Sequence, residues 1–180
     1  MKNKIICLIL SLIFFPSANA TECSISSDEE NNLLTMSFDQ FDQSKEGWRH
    51  LDGNGCYQQI AALIDRYTNQ NETKINEWQK RILFWHAGQL YAFNNEYSIA
   101  KQHFLNAIDP NETSDSFMRW NDYAYATIAF LDHDLYALQQ HRENIAIGPE
   151  LNGKKPNLDV IDNLIKYFDE PYSVAYSKNR

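Results

Sequence analysis

The chain has 180 residues, of which 24 are acidic and 16 are basic, so its formal net charge is −8. Nucleic acid and anionic membrane surfaces are poor partners for such a chain, because their phosphates repel it. Glycine is scarce, at six residues, and no segment shows sustained strand alternation, so we predict an all-α protein.

The first twenty residues have the three-part layout of a secretory signal peptide. Two lysines precede an apolar run from Ile5 to Phe15, and Pro16 is followed by an Ala-Asn-Ala pattern that ends at Ala20. This run has eleven residues, whereas a membrane-spanning helix needs about 20. We therefore predict cleavage after Ala20, a periplasmic or secreted location, and no membrane span. The mature charge would be 14 − 24 = −10.

Two cysteines, Cys23 and Cys56, remain after this cleavage. An even number in an oxidising compartment favours a disulfide, which would close a loop of about 33 residues and contribute roughly 3 to 4 kcal/mol. The alternative is a free thiol at Cys23 and a small apolar role for Cys56 in a helix. A lipid anchor is not favoured, because Cys23 follows Glu22 instead of standing at the cleavage point.

Residues 21–36 are acidic and poor in apolar groups, so we expect a flexible acidic leader before a single helical domain over 37–180. Ser37 and Gln40 form a capping box, which predicts a helix that continues to the glycines at 53 and 55. A second helix, predicted from Cys56 to Tyr67, would complete a first hairpin.

Two further hairpins and a cap follow. A helix over 74–93 has an apolar stripe that includes Trp78 and Trp85, and its predicted partner covers 96–108. The third hairpin is predicted to begin near Ser116 with Phe117 facing inward, and Asp134 is a suitable N-cap for its second helix. An amphipathic helix over 158–168 would cap the domain, followed by a short segment at 172–176.

The second and third hairpins recur at an interval of 37 residues, with Ala87 matching Ala124 and Ala100 matching Ala137. Within 84–107, one predicted helix carries Phe84, Ala87, Gly88 and Tyr91, and the next carries Ala100, Phe104 and Ala107. This segment resembles the tetratricopeptide-repeat family, whose signature is an aromatic, a small pair and a tyrosine on one helix, then alanine, aromatic and alanine on the next. The third hairpin departs from this pattern at Tyr125 and His141, so its first helix could be shifted by one residue.

The resemblance implies stacked antiparallel hairpins, a short tetratricopeptide-like α-solenoid with a C-terminal capping helix. Another stack or bundle of antiparallel helices would fit the same pattern. In the repeat family, the first helix of each hairpin lines a groove that receives a partner. Carried onto this chain, the partner-binding residues would be Trp85, His86, Gln89, Phe93, Arg119, Asp122 and Tyr123. The alternative for Trp85 and Phe93 is burial between helices.

Catalytic and metal-binding motifs are absent from the sequence: we find no nucleophile elbow, phosphate-binding glycine loop or paired metal ligands. Asp132-His133-Asp134 is better explained as a turn with an N-cap than as a metal site. His86 could act as an acid or base only with a second positioned group. The glycosylation sequons at Asn71 and Asn111 matter only in a eukaryotic secretory pathway.

We therefore expect a monomeric exported scaffold or adaptor that binds a protein or peptide partner, without catalysis, cofactor or metal. A narrower hypothesis is an inhibitor or immunity-type protein that blocks another exported protein. A third is a small all-α hydrolase, which would require His86 to lie next to a carboxylate in space.

Overall fold

The computed structural model describes residues 23–178, so the predicted signal peptide lies outside the described residues. The regular secondary structure of this part of the chain consists of helices alone, with no strand. The helices are α1 (Ser27–Leu34), α2 (Phe38–Asp42), a 3-10 helix (Trp48–Asn54), α3 (Tyr57–Gln70), α4 (Glu77–Phe93), α5 (Tyr97–Asn106), α6 (Trp120–Leu131), α7 (Leu135–Ile147), α8 (Leu158–Lys166) and α9 (Tyr172–Ser177).

Helix α1 lies inside the segment that the sequence predicts to be a flexible leader. The side chain of Ser26 accepts a hydrogen bond from the backbone N–H of Glu29, and Leu33 and Leu34 are buried against the core. The sulfur atoms of Cys23 and Cys56 are 2.11 Å apart, so the predicted pairing is confirmed. Structure that packs on the core therefore begins before the predicted boundary at residue 37.

The first predicted hairpin differs from the structure. The capping box is present, but α2 ends at Asp42, and a separate 3-10 helix begins at Trp48. Gly47 explains the break, because a Cβ atom there would lie 1.9 Å from the carbonyl oxygen of Phe41. The chain folds back at this point more tightly than a continuous helix allows. Helix α3 consequently takes α4 as its main helical neighbour.

The α4–α5 and α6–α7 hairpins are built alike, but they repeat at 38 residues and not at the predicted 37. Helices α4 and α6 end at Phe93 and Leu131, and helices α5 and α7 begin at Tyr97 and Leu135. The turns repeat too, because the N–H of Glu96 donates to the carbonyl of Tyr91 and that of Asp134 to the carbonyl of Ala129. Burial follows the same interval: the buried Gly88, Ala100 and Ala107 correspond to the buried Ala126, Leu138 and Ile145.

The C-terminal helices close the stack. Helix α8, predicted as the cap, buries Val160, Ile161 and Leu164 and packs against α6 and α7. Helix α9 follows and reaches back to α4. Within residues 23–178, every helix is too short or too polar to cross a lipid bilayer.

Candidate functional site

The two central aromatics of the predicted groove lie in the core. The exposed fraction of Trp85 is 4%, and that of Tyr123 is also 4%. Their ring centroids are 4.6 Å apart, and the Trp85 ring also packs against Phe104 and Trp120. For Trp85 the alternative of burial between helices is therefore correct. Neither side chain can meet a partner without unpacking this cluster.

His86 and Phe93 also have partners inside the molecule. The Nδ1 atom of His86 is 2.8 Å from the Oδ1 atom of Asp42, a fully buried carboxylate. The Phe93 ring packs against Tyr57 and against two tyrosines of α9. Helix α9 therefore covers the Phe93 end of α4.

The remaining predicted residues are Gln89 on α4 and two residues at the start of α6. Gln89 is half-buried on α4. Arg119 donates to the carbonyl of Thr113 at 3.2 Å, and Asp122 accepts hydrogen bonds from His141 and Asn144. The structure does not gather the seven predicted residues into one accessible groove.

A pocket of about 240 Å³ lies at a different place, between the start of α4 and the loop that joins α5 to α6. Two of its aromatic walls are exposed, with exposed fractions of 53% for Trp78 and 65% for Phe117. The Trp78 ring meets Phe38 edge-on with a centroid separation of 5.8 Å. The pocket is lined by Trp78, Arg81, Ile82, Asp109, Glu112, Ser116, Phe117, Met118 and Trp120.

The loop wall of this pocket is fixed by Asn121, the second residue of α6. Its side chain accepts from the N–H of Asp109 and donates to the carbonyl of the same residue, both at 2.8 Å. Its own backbone N–H donates to the Oε2 atom of Glu112 at 2.7 Å. The indole N–H of Trp120 donates to the carbonyl of Ala107 at 2.7 Å. These bonds tie both ends of the loop to the helices before any ligand is present.

Three charged residues stand at the pocket. The Nη2 atom of Arg81 is 3.4 Å from the Oδ1 atom of Asp109, so this pair is close to neutral. Burial raises the pKa of the Glu112 carboxyl, and the nearby Asp122 adds to this shift, although backbone N–H groups and Arg119 oppose it. The lining is otherwise dominated by large apolar side chains.

Helical spacing predicts that Trp78 and Phe117 face inward, so this pocket does not follow from the sequence. In the structure α6 begins at Trp120 and not near Ser116, which places Phe117 on the loop. Trp78 stands in the first turn of α4. The sequence signal for this pocket was a pair of aromatics, Trp78 and Phe117, close to the predicted starts of two helices.

A second pocket, of about 410 Å³, has a more polar lining that includes Phe38, Asn71 and Lys74. The Asn71 side chain is buried and donates to the carbonyls of Leu34 and Tyr67. The first sequon therefore has its acceptor nitrogen engaged in the folded chain, whereas Asn111 is exposed.

Asp132-His133-Asp134 forms the predicted turn and cap. His133 has a positive φ of 57°, and the side chain of Asp134 accepts from the N–H of Ala137. Over the described residues, no three His, Cys, Asp or Glu side chains come together in a way that could hold a metal ion.

Comparison with protein-family models, with curated proteins and with solved structures found no match. The resemblance to tetratricopeptide repeats therefore depends only on the residues quoted above.

Proposed function

We propose that this chain is an exported, non-enzymatic binding module that holds an apolar side chain of a protein partner in the pocket beside Trp78. The observation that carries this proposal is the pair of exposed aromatic walls, Trp78 and Phe117, around a pre-formed apolar pocket. Aromatic residues around a small pocket are the composition of interface hot spots.

The size of the pocket favours a side chain over a larger ligand. Small-molecule sites usually measure about 300 to 1,000 Å³, whereas this pocket measures about 240 Å³. One large apolar side chain of a partner fits inside it, and the exposed faces of Trp78 and Phe117 would pack on the flanking residues.

The fixed loop supports binding because ordering a loop on association costs free energy. Asn121 and Trp120 already hold the wall through hydrogen bonds to Asp109, Glu112 and Ala107. A partner therefore meets a surface that needs little rearrangement.

The proposal also covers the repeat family of the hairpins and the cellular location of the chain. We propose that the α4–α5 and α6–α7 hairpins are tetratricopeptide-like repeats. Gly88 supports this, because a Cβ atom there would lie 2.8 Å from the Phe104 ring, so the small residue permits close helix packing. The bonded pair Cys23 and Cys56 supports an oxidising, exported compartment.

The hydrolase hypothesis has one favourable observation, the contact between His86 and Asp42. However, Asp42 also accepts from the indole N–H of Trp48 at 2.9 Å, so the carboxylate joins α2, the 3-10 helix and α4. Neither of the two pockets described above is lined by His86 or Asp42. These contacts support a structural role, and a His86→Ala variant that stays folded should retain the function of the chain.

The test is capture of partners from the native extracytoplasmic fraction with the double variant Trp78→Ala and Phe117→Ala. Hot-spot residues contribute about 2 kcal/mol or more each, so losing two of them costs about 4 kcal/mol and should lower affinity for the partner by about 700-fold. The matched control is Tyr136→Ala, because Tyr136 is an aromatic of 74% exposure on α7, outside the pocket lining.

Circular dichroism should show that all variants remain helical. One tight partner would favour the inhibitor or immunity-type hypothesis, and several weak partners would favour an adaptor. Equal binding by the pocket variant and the control would contradict the proposal.

A further inference from the structure

Each histidine in the described chain lies near a carboxylate, and four of these contacts are 2.8 Å long. Those four join different helical elements. The contacts are Glu29 with His50, Asp42 with His86, Asp65 with His103, and Asp122 with His141. In each contact one ring nitrogen of the histidine faces the carboxylate. The group that the other ring nitrogen faces decides whether the contact requires a doubly protonated ring.

His103 has an oxygen acceptor at both ring nitrogens. Its Nε2 atom is 2.8 Å from the Oδ1 atom of Asp65, and its Nδ1 atom is 3.0 Å from the backbone carbonyl oxygen of Ile99. A carbonyl and a carboxylate can only accept hydrogen bonds, and a neutral imidazole carries only one N–H. Both contacts are hydrogen bonds only when the ring is the doubly protonated imidazolium.

We propose that His103 is a proton-binding site that joins α3, α4 and α5, so that the helix stack is tightest in mildly acidic solution and loosens as the ring loses its proton. The proposal is independent of the pocket, since it concerns how the helices are held together.

The surroundings of His103 support this role. Asp65, on α3, also accepts a hydrogen bond from the hydroxyl of Tyr91, on α4, at 2.9 Å. Burial raises the pKa of that Tyr91 hydroxyl, and its bond to Asp65 adds to the shift, so it stays protonated. The neighbouring base on α3, Arg66, lies 2.5 Å from Glu30 and is held there. Asp65 is therefore the charged group that faces the ring.

The side chain of His103 is only 14% exposed. Burial lowers the pKa of His103, but the hydrogen bonds to Asp65 and to the Ile99 carbonyl, together with the charge of Asp65, outweigh it and leave that pKa above 6.5.

The raised pKa of His103 sets the direction in which pH changes the stability of the fold. A histidine whose pKa is raised in the folded state contributes stability that is fully present below its unfolded pKa, about 6.5. That contribution is lost as the pH rises through the folded pKa. When the proton leaves, one ring nitrogen presents a lone pair to an oxygen about 3 Å away, and the link between α5 and its neighbours weakens.

His50 has the same arrangement at the other end of the stack. Its Nδ1 atom is 2.5 Å from the carbonyl oxygen of Gly47, and its Nε2 atom is 2.8 Å from the Oε1 atom of Glu29. Because the side chains of His50 and Glu29 are each 39% exposed, solvent screens this pair more, and we expect a smaller effect there.

His141 supplies the matched control. Within the described residues, only its Nδ1 atom has an acceptor, the carboxylate of Asp122, which also accepts from Asn144 at 2.9 Å. A neutral ring with its proton on Nδ1 satisfies that contact, so no second proton is required.

The experiment has two parts. Nuclear magnetic resonance titration of the histidine ring protons in the purified chain should place the pKa of His103 above 6.5, and Asp65→Asn should lower it. Thermal unfolding should give a lower Tm at about pH 8.5 than at about pH 6, and His103→Gln should reduce that difference more than His141→Gln does.

A His103 pKa at or below 6.5, or equal changes in pH dependence for the two glutamine variants, would overturn the proposal. If His103→Gln does not fold, the titration of the unsubstituted chain alone decides the outcome.

Discussion

Replacing Asp42 with alanine should destabilise the chain more than any other single loss of a carboxylate in the helix stack. Asp42 is fully buried, and its carboxylate accepts from His86 at 2.8 Å and from the Trp48 indole at 2.9 Å. The more distant contact, 3.8 Å to the half-exposed Arg49 guanidinium, adds little because solvent screens it. The side-chain amide of Gln43 also donates to this carboxylate, but Gln43 is exposed and can turn to water instead. The variant therefore leaves the two less exposed donors, His86 and Trp48, without their acceptor.

Each buried donor that loses its acceptor costs about 1 to 3 kcal/mol, so the two donors together cost about 2 to 6 kcal/mol. Because water can reach His86, whose side chain is 17% exposed, we expect the lower part of that range, about 3 kcal/mol. For a domain of this size, such a loss lowers the Tm by about 6 to 12 °C.

Urea unfolding of the oxidised chain, followed by circular dichroism at neutral pH, measures this loss. The matched control is Asp39→Ala on the same helix, which is exposed and should cost under about 1 kcal/mol as a helix N-terminal charge. A free energy of unfolding for Asp42→Ala within about 1 kcal/mol of the unsubstituted value would refute the reasoning.

At low pH, the stability lost in Asp42→Ala depends on the pKa of Asp42. Burial raises this pKa, but the hydrogen bonds from His86 and Trp48 and the charges of His86 and Arg49 together bring it below 3.8. The contribution of the carboxylate is therefore present above that pH and is lost as the pH falls through the folded pKa. The gap between the unsubstituted chain and Asp42→Ala should accordingly be narrower at about pH 3 than at about pH 7.

Two further variants test other parts of the account. Replacing Cys23 and Cys56 together by serine opens a loop with a sequence separation of 33 residues. The free energy of unfolding should therefore fall by about 3.7 kcal/mol on the chain-entropy model. Urea unfolding that shows no such fall would contradict a stabilising disulfide bond. Asn121→Ala should lower affinity for the partner by about tenfold, because the loop wall would have to be ordered on binding, and unchanged affinity by calorimetry would show that the wall does not matter.

Local signals with a direct mechanism predicted much of the fold. Ser37 and Gln40 form the expected reciprocal cap, and Asp134 caps α7 as expected. Both depend on hydrogen bonds within four residues, which the sequence displays. The apolar stripe of α8 was also sufficient to predict this helix, because a helix with one apolar face packs that face against the core.

Signals that depend on distant neighbours were harder to interpret. The acids in the first turn of α1 suggested disorder, yet acids there stabilise a helix start, and the buried Leu33 and Leu34 hold it on the core. The break after α2 depends on how closely Gly47 approaches the Phe41 carbonyl. Neither fact can be obtained from periodicity alone.

The candidate site could not be predicted for the same reason, since residues distant in the sequence decide which side chains are buried. Trp78 and Trp85 share a stripe on α4, but only Trp85 is enclosed, because Phe104, Trp120 and Tyr123 surround it. Helical spacing gives the face of a residue and not the depth of its surroundings. The resemblance to a repeat family directed attention to the enclosed tryptophan, whereas the exposed one lines the pocket.

The most direct test of the binding proposal is photo-crosslinking from the pocket. A photoreactive phenylalanine analogue at position 117 should crosslink the chain to a partner in its native extracytoplasmic fraction, and Trp78→Ala should reduce the yield. The same analogue at position 136, which is also exposed, should not crosslink that partner. Equal yields from the two positions, or a yield at position 117 that Trp78→Ala leaves unchanged, would contradict the proposal that this pocket holds the partner.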